Sequence, residues 1–470
     1  MKFVCDLHLH SKYSRAVSWE MVLPKMAEWA KYKGINVLAT GDFAHPFWFD
    51  KLKNELEEAG NGLYKLKSTD YRLQTTAAVD GRQLTVVYFL PSCEISSIYS
   101  QGDKARRIHN LFFFPSLSSV EKFNSELLRR GANLRADGRP IVGISSRNLV
   151  EIALSCDEKV LVIPAHVWTP WFSVFGSFSG FDSVEECFSD MAKYIYGIET
   201  GLSSDPAMNW QIGDLDNRAI LSFSDAHSLE KMGREATVFE AEEISYDSIY
   251  DAIRLSGNQV VRKSGNLESD NLTTRKPDNP RPKVAFTIEF HPEEGKYHFS
   301  GHRDCNFSQN PEETAKNGNI CPVCHKPLTI GVMHRVEQLK IRNSKFEIRN
   351  LNGVRWIFPE GNGRPPYVSL VPLAEILAEV FGVQVKTRKV LDTYLSLVNN
   401  LGSEFTVLLK SDLADITRYS EPKVAEGIDL VRRGEISVEP GYDGKFGVVK
   451  IGFRTAVVPE IEQSQLNLFA

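Results

Sequence analysis

The sequence predicts an α/β protein: a parallel sheet or barrel over the first 260 residues, then a small metal-bound segment, then a mostly helical region. Three observations predict it. Short β-rich apolar runs alternate with amphipathic helical stretches. Most of the runs finish in His, Asp or Glu. A polar, Pro- and Asn-rich stretch then separates them from a Cys/His cluster.

In chain order, the runs are "KFVCDLHLH", "INVLATGD", "LTVVYFLPSCE", "NLFFFP", "KVLVIPAH", "YIYGIET" and "AILSFSDAH". Between them, "SWEMVLPKMAEWAKYKG" and "SLSSVEKFNSELLRRG" each start near Ser and close on Gly, as helices do. These elements assign 1–262 to a metal-dependent domain and 263–283 to a linker. A zinc-binding domain is expected over 284–345, and a mostly helical domain with a hairpin at "PGYDGKFG" over 346–455. A tail covers 456–470.

A chain of 470 residues has room for two or three domains, and 42% apolar with 24% charged residues is ordinary globular composition. A net charge of −5 gives no global field toward nucleic acid, so any basic surface is local. The sequence has no apolar run long enough for a membrane span and no leader pattern. Cys5, Cys93, Cys156 and Cys187 are scattered in apolar segments, which reads as a reducing compartment, the cytoplasm.

Alternation places Asp6, His8 and His10 on one face of the first run. One H-x-H pair reads equally well as hydrogen-bonded core histidines. The other runs change this, because they finish in Asp42, Glu94, His166, Glu199 and Asp225 with His227. Barrel enzymes gather such strand ends at one face. Several imidazoles and carboxylates in one pocket are costly unless metal ions compensate them, and mixed ligation suits zinc, manganese or iron.

A second constellation is His302-x-x-Cys305 and Cys321-x-x-Cys324, with fifteen residues between the pairs. This spacing suits one closed, structural zinc. His298 and His325 are alternatives to His302. The loop after His166, "VWTPWFSVFGSFSGFDS", places Trp168, Trp171, Phe172 and Phe175 beside the first constellation. Core packing is the default for such residues, yet a base taken out of a duplex needs an aromatic slot near the chemistry. These four and Glu199 form the expected substrate-binding set. Basic clusters in "HRVEQLKIRNSKFEIRN" and "VKTRKV" are solvated faces or nucleic-acid contacts.

With "DLHLHS" and a later "SDAH", the chain resembles the polymerase and histidinol phosphatase (PHP) superfamily. The resemblance implies a distorted (β/α)7 barrel that hydrolyses phosphoesters with two or three metal ions (zinc, manganese or magnesium). It also implies catalytic and metal-ligand roles for His8, His10, Glu94, His109, His166, Asp225 and His227. Asp42 stands where many relatives carry a His, and His45 is a reserve ligand. His109 precedes its apolar run, so it enters on resemblance alone.

"RRIHNLFFFP", "HVWTPWFSVFGSFSGFDS", "GIETGLSSDP" and "CPVCHKPLTIGV" narrow the resemblance, over residues 1 to about 455, to the endonuclease Q family. That implies a DNA repair nuclease cutting 5′ to deaminated bases (uracil, hypoxanthine, xanthine) and abasic sites. His302 departs from the Cys that archaeal members favour. In the tail, Gln465, Leu466, Leu468 and Phe469 resemble the bacterial sliding-clamp-binding peptide, which implies the β clamp as partner. The rival reading is a small-molecule phosphoesterase of the histidinol-phosphatase kind. It leaves the zinc segment and the helical region without a purpose.

Overall fold

The computed structural model describes residues 1–67, 86–258, 281–361 and 363–452. The linker as far as residue 280 and the tail carrying Gln465, Leu466, Leu468 and Phe469 lie outside the described residues.

The first run pairs as a strand only over Lys2–Asp6, parallel to Val37–Ala39, which is parallel in turn to Tyr88–Leu90. Its far side pairs antiparallel with Ala236–Glu240. A hairpin of Ser92–Gln101 and Lys104–Phe113 forms a separate four-stranded sheet with Ile141–Val142 and Leu161–Pro164. Gly197–Glu199 and Ala219–Leu221 form a parallel pair, and a bridge from Leu9 to Ala226 ties the chain after that pair back to the first strand. Three sheets thus share one buried cluster, to which Cys5, Val37, Leu90, Leu111, Ile163 and Leu221 contribute. The alternating β-rich runs position this core, as the sequence pattern requires.

Local signals act where expected, with one exception. Ser116 caps Leu117–Arg129 by accepting from the Ser119 N–H, and Ser145 caps Ser146–Cys156 in the same way. Ser18 caps nothing: the helix there is Leu23–Lys33, with Pro24 in its first turn and Gly34 in the left-handed conformation at its end.

The domain boundaries differ from the expectation. Lys283–Glu289 pairs antiparallel with Ala236–Glu240, and Tyr367–Ser369 pairs parallel with it. Phe346–Leu351 and Val354–Pro359 extend the same sheet to ten strands. The segment from 346 therefore begins as strands of the main sheet, because "FEIRNL" and "VRWIFP" carry β-formers on both sides of an Asn-Gly turn. Helices occupy Leu373–Phe381, Arg388–Leu401, Glu404–Leu409, Leu413–Tyr419 and Pro422–Arg433. The helical region docks through buried Lys33, whose Nζ lies 2.7 Å from Glu404. The "PGYDGKFG" hairpin forms between Ile436–Glu439 and Val448–Ile451, with Asp443 and Gly444 both at positive φ in its turn. Asp443 accepts from the Arg303 N–H and the Thr329 hydroxyl, which seats this turn on the Cys/His segment.

Among the described residues, no helix is long and apolar enough to cross a membrane.

Candidate metal centre

Asp42, His166 and Asp225 lie in the turns after Val37–Ala39, Leu161–Pro164 and Ala219–Leu221 and have φ of 51°, 31° and 46°. Such left-handed conformations are unfavourable for L-residues and persist where the surroundings over-determine them. The turns aim side chains from five segments at one place, forming three triads: His8–His10–Glu94, His10–Asp225–His227, and Glu94–His109–His166. In each triad the candidate ligand atoms lie within 4.8 Å of one another. Glu94 belongs to two triads and His10 to two, so neighbouring ions would share ligands.

Glu94 Oε1 lies 2.6 Å from His109 Nδ1 and 3.1 Å from His166 Nε2. Asp225 Oδ1 lies 3.0 Å from His10 Nε2 and 3.6 Å from His8 Nε2. The His227 Nδ1 sits 2.8 Å from the Asp225 carbonyl oxygen, which leaves its Nε2 for a ligand. His8 Nε2 and Glu94 Oε2 are buried with no hydrogen-bond partner among the described residues. Orphaned buried polar atoms of this kind are costly, and a bound cation would satisfy them. The donor set therefore fits divalent ions.

His109 belongs here for a reason that simple barrel logic misses. Lys104–Phe113 runs antiparallel to Ser92–Gln101, so His109 pairs with Ser96, two residues from Glu94, on the same sheet face.

Two expected site residues act from behind the cluster. Asp42 is fully buried, and its Oδ1 lies 3.2 Å from His10 Nδ1. Its Oδ2 accepts from the Ser11 N–H at 2.6 Å and from the Ser11 and Ser14 hydroxyls. Its Oδ1 thus faces His10 while its Oδ2 is taken up by Ser11 and Ser14, and it joins no triad. The expected ligand role is corrected to orientation of a ligand. Glu199 is likewise fully buried: it accepts from His8 Nδ1 at 2.8 Å and from the His166 N–H at 2.7 Å. It fixes His8 and cannot meet a substrate, so its expected substrate contact is corrected too. His45 stacks on Tyr13 at 4.5 Å, outside the triads.

Burial pushes the carboxyls of Glu94 and Asp225 up. The imidazoles of His109, His166 and His8 around Glu94, and of His8, His10 and His227 around Asp225, reverse this and hold both well below the usual range. Burial pulls His8 down, but Glu199 and Asp225 raise it above its ordinary value. His10 and His166 are raised as well, whereas burial holds His109 and His227 below their ordinary value, so the imidazoles of the cluster are not alike.

Sequence reasoning missed Arg139. Its guanidinium lies 3.9 Å from Glu94 Oε2, making it the one Lys or Arg among the described residues that pairs with a triad carboxylate. A single Arg between Gly and Pro carries no motif signal.

The aromatic loop divides in two. Trp168, Phe175 and Phe181 are buried, with Trp168 Nε1 donating to Asn209 at 2.8 Å and Phe175 packed on Trp168. They are core, which corrects Trp168 and Phe175 as substrate contacts. Phe172 is half-buried with its ring 4.7 Å from His109, and Trp171 stacks on exposed Phe178 at 4.8 Å and 7°. These three are not core, and Phe172 is the one that meets the cluster.

The second metal group gathers His302, Cys305, Cys321 and Cys324 within 4.8 Å. His302 Nδ1 lies 3.6 Å from Cys324 Sγ, near the roughly 3.6 Å expected between N and S ligands of a tetrahedral zinc. His298 is buried outside this group and His325 is also outside it, which leaves His302 as the fourth donor.

Fold and cluster together define a metal-dependent hydrolase, and the structural likeness identifies its kind as a nuclease. The chain is similar to the crystal structure of the lesion-specific endonuclease Q of Pyrococcus furiosus, with 29% identity, a TM-score of 0.75 and 96% of each chain covered. It is equally similar to endonuclease Q in complex with a 27-mer duplex substrate carrying an abasic lesion at the active site, with 28% identity, a TM-score of 0.75, and 96% and 97% of the two chains covered. Residues 219–256 match the family described as PHP-associated, and 372–435 match the MJ0043 C-terminal domain. Uncharacterized protein MJ0043 of Methanocaldococcus jannaschii is 31% identical over 61% of this chain, and the match spans 31% of that protein's length. Uncharacterized protein YqxK of Bacillus subtilis is 28% identical over 96% of this chain and 99% of its own.

Proposed function

We propose that this protein is a DNA repair endonuclease that hydrolyses the phosphodiester 5′ to deaminated bases (uracil, hypoxanthine, xanthine) and to abasic sites. The observation that carries the reading is the set of three His/carboxylate triads sharing Glu94 and His10, with Phe172 against His109 and the Trp171–Phe178 stack in the same loop. Likeness to a lesion-bound endonuclease Q over 96% of the chain supports it. The fold is read as a distorted (β/α)7 barrel of the PHP type, a reading that the shared buried cluster of the three sheets supports.

Hydrolysis adds water across one P–O bond: oxygen bonds to phosphorus, the bond to one sugar oxygen breaks, and a phosphate end and a hydroxyl end result. Two or three ions (zinc, manganese or magnesium), when bound, supply an activated hydroxide and stabilise charge on the attacking and leaving oxygens. His8, His10, Glu94, His109, His166, Asp225 and His227 hold them. Asp42 and Glu199 fix the rings of His10 and His8 so that each presents Nε2. Trp171, Phe172 and Phe178 offer faces on which an extruded base stacks. His302, Cys305, Cys321 and Cys324 hold one structural zinc. Residues 465–469 bind a bacterial sliding clamp, and deleting them should remove clamp binding while sparing cleavage of short duplexes.

The test sets a duplex with one uracil against the same duplex without it and against small phosphate monoesters. Turnover confined to the damaged duplex supports the proposal. Turnover of monoesters with damaged DNA left intact would support the phosphoesterase reading instead.

A further inference from the structure

We propose that Arg139 is a catalytic residue that grips the non-bridging oxygens of the scissile phosphodiester; this rests on the phosphodiester-hydrolase reading above. Arg139 is placed with care. Gly138 donates its N–H to the Tyr13 carbonyl at 3.0 Å, and Pro140 O accepts from the Ser96 N–H at 3.0 Å. The residues on both sides of Arg139 are therefore pinned to segments that carry the cluster. A Cβ on Gly138 would stand 2.4 Å from Ser14 Oγ and 2.5 Å from Asp42 Oδ2, so only glycine lets the loop press against the residues that hold His10.

The guanidinium delivered by this loop is under-used. Of its five N–H donors, one bonds to protein among the described residues, from NH2 to the Arg15 carbonyl oxygen at 3.1 Å. The triad carboxylate it faces, at Glu94 Oε2, is 3.9 Å away, beyond hydrogen-bond reach and itself without a partner among the described residues. Glu94 is already contacted by His109 and His166 at 2.6 and 3.1 Å, so Arg139 is not needed to hold it. The side chain is 23% exposed, open to a ligand at the mouth of the cluster.

A guanidinium stays charged at any working pH, and divalent ions beside it would repel it. An anion lying between the ions and the arginine removes that conflict. A phosphodiester matches the fork geometry, because two non-bridging oxygens can accept two parallel N–H bonds. The contact strengthens as negative charge builds on those oxygens during attack, and that is a contribution to rate more than to binding.

The test uses Arg139→Ala and Arg139→Lys in the full chain, assayed on a uracil duplex and on bis(p-nitrophenyl) phosphate, a minimal diester. Arg139→Ala should lose about 10²–10³-fold in kcat with a smaller change in KM, the scale of losing one oxyanion donor. Its metal content and Tm should match wild type, and added guanidinium ion should restore activity where sodium chloride at equal ionic strength does not. Arg139→Lys should recover only part of the loss. Loss of bound metal from Arg139→Ala would overturn the inference, showing that Arg139 holds Glu94 instead. Near-wild-type turnover, or no response to guanidinium, would also overturn it. If wild type hydrolyses the minimal diester but not the uracil duplex, the lesion reading fails, while the Arg139 comparison on the diester still decides this inference.

Discussion

The two metal groups of this molecule are built on opposite principles. The triads draw candidate ligands from segments as far apart as His8 and His227, bury His8, His10 and Glu94, and brace the first two histidines with Glu199 and Asp42. The second group lies within residues 302–324, is rich in sulfur, and is mostly half-exposed. The first is gathered by the fold from distant segments; the second lies close together along the chain. Both touch the loop after His166. Phe172 packs on His109, while Arg335, just after the Cys/His group, donates to the Phe175 carbonyl at 3.0 Å and to the Phe181 carbonyl at 3.2 Å.

The largest expected effect separates the two groups at once. Asp225→Ala should abolish cleavage at saturating manganese while leaving Tm and duplex affinity close to wild type, because the apolar core does not depend on this side chain. A fall in Tm without loss of turnover would reverse the comparison. Next, Cys321→Ser should lower zinc stoichiometry by one and raise hydrogen exchange across the segment around residues 296–331. Few apolar residues support that segment without metal. Cleavage should then fall indirectly, through loss of the Arg335 hold on the loop. Unchanged zinc content would break the assignment.

The loop itself gives a smaller pair of effects. Trp171→Ala should reduce cleavage of damaged duplex by about tenfold or more, since stacking on an aromatic contributes about 1–3 kcal/mol per base. Phe175→Ala should act on stability instead, costing about 3–5 kcal/mol as a buried Phe truncation. Chemical denaturation beside kinetics would show whether the two variants exchange these behaviours, which would refute the division of the loop.

The smallest effect concerns Glu294, on the turn leading into the zinc segment. Burial, together with Glu375 and Glu293, raises its carboxyl from 4.5 to about 8, against Arg234. The folded state therefore holds this proton when the unfolded chain has released it. The resulting stability is complete below pH about 4.5 and is lost as pH rises through about 8. Glu294→Gln should match wild type in Tm at pH 4 and exceed it at pH 9. Parallel pH profiles for the two proteins would contradict this.

Much of the site was legible because strand ends punctuate the sequence with polar residues. His8, His10, Glu94, His166, Asp225 and His227 stand out against apolar runs, and Cys321-x-x-Cys324 is a local pattern. Which carboxylate faces the ions and which stands behind was not legible: Asp42 and Glu199 sit at the same kind of strand end as Asp225, and only turn geometry separates them. Nor does composition divide Trp168 and Phe175 from Trp171 and Phe178, since orientation within one loop decides burial. Arg139 gave no signal because its placement depends on contacts of Gly138 with Tyr13 and Asp42, more than ninety residues away. The strands of 346–359 were missed because basic residues masked a β pattern on a half-solvated sheet edge.

The central claim is tested most directly by one cut. A duplex labelled at either end and carrying a single uracil is incubated with the protein and manganese, and both products are sized to the nucleotide. The account predicts one break in the damaged strand, on the 5′ side of the uracil, absent when the metal is chelated. A break elsewhere, equal nicking of undamaged duplex, or full activity in chelator would contradict it.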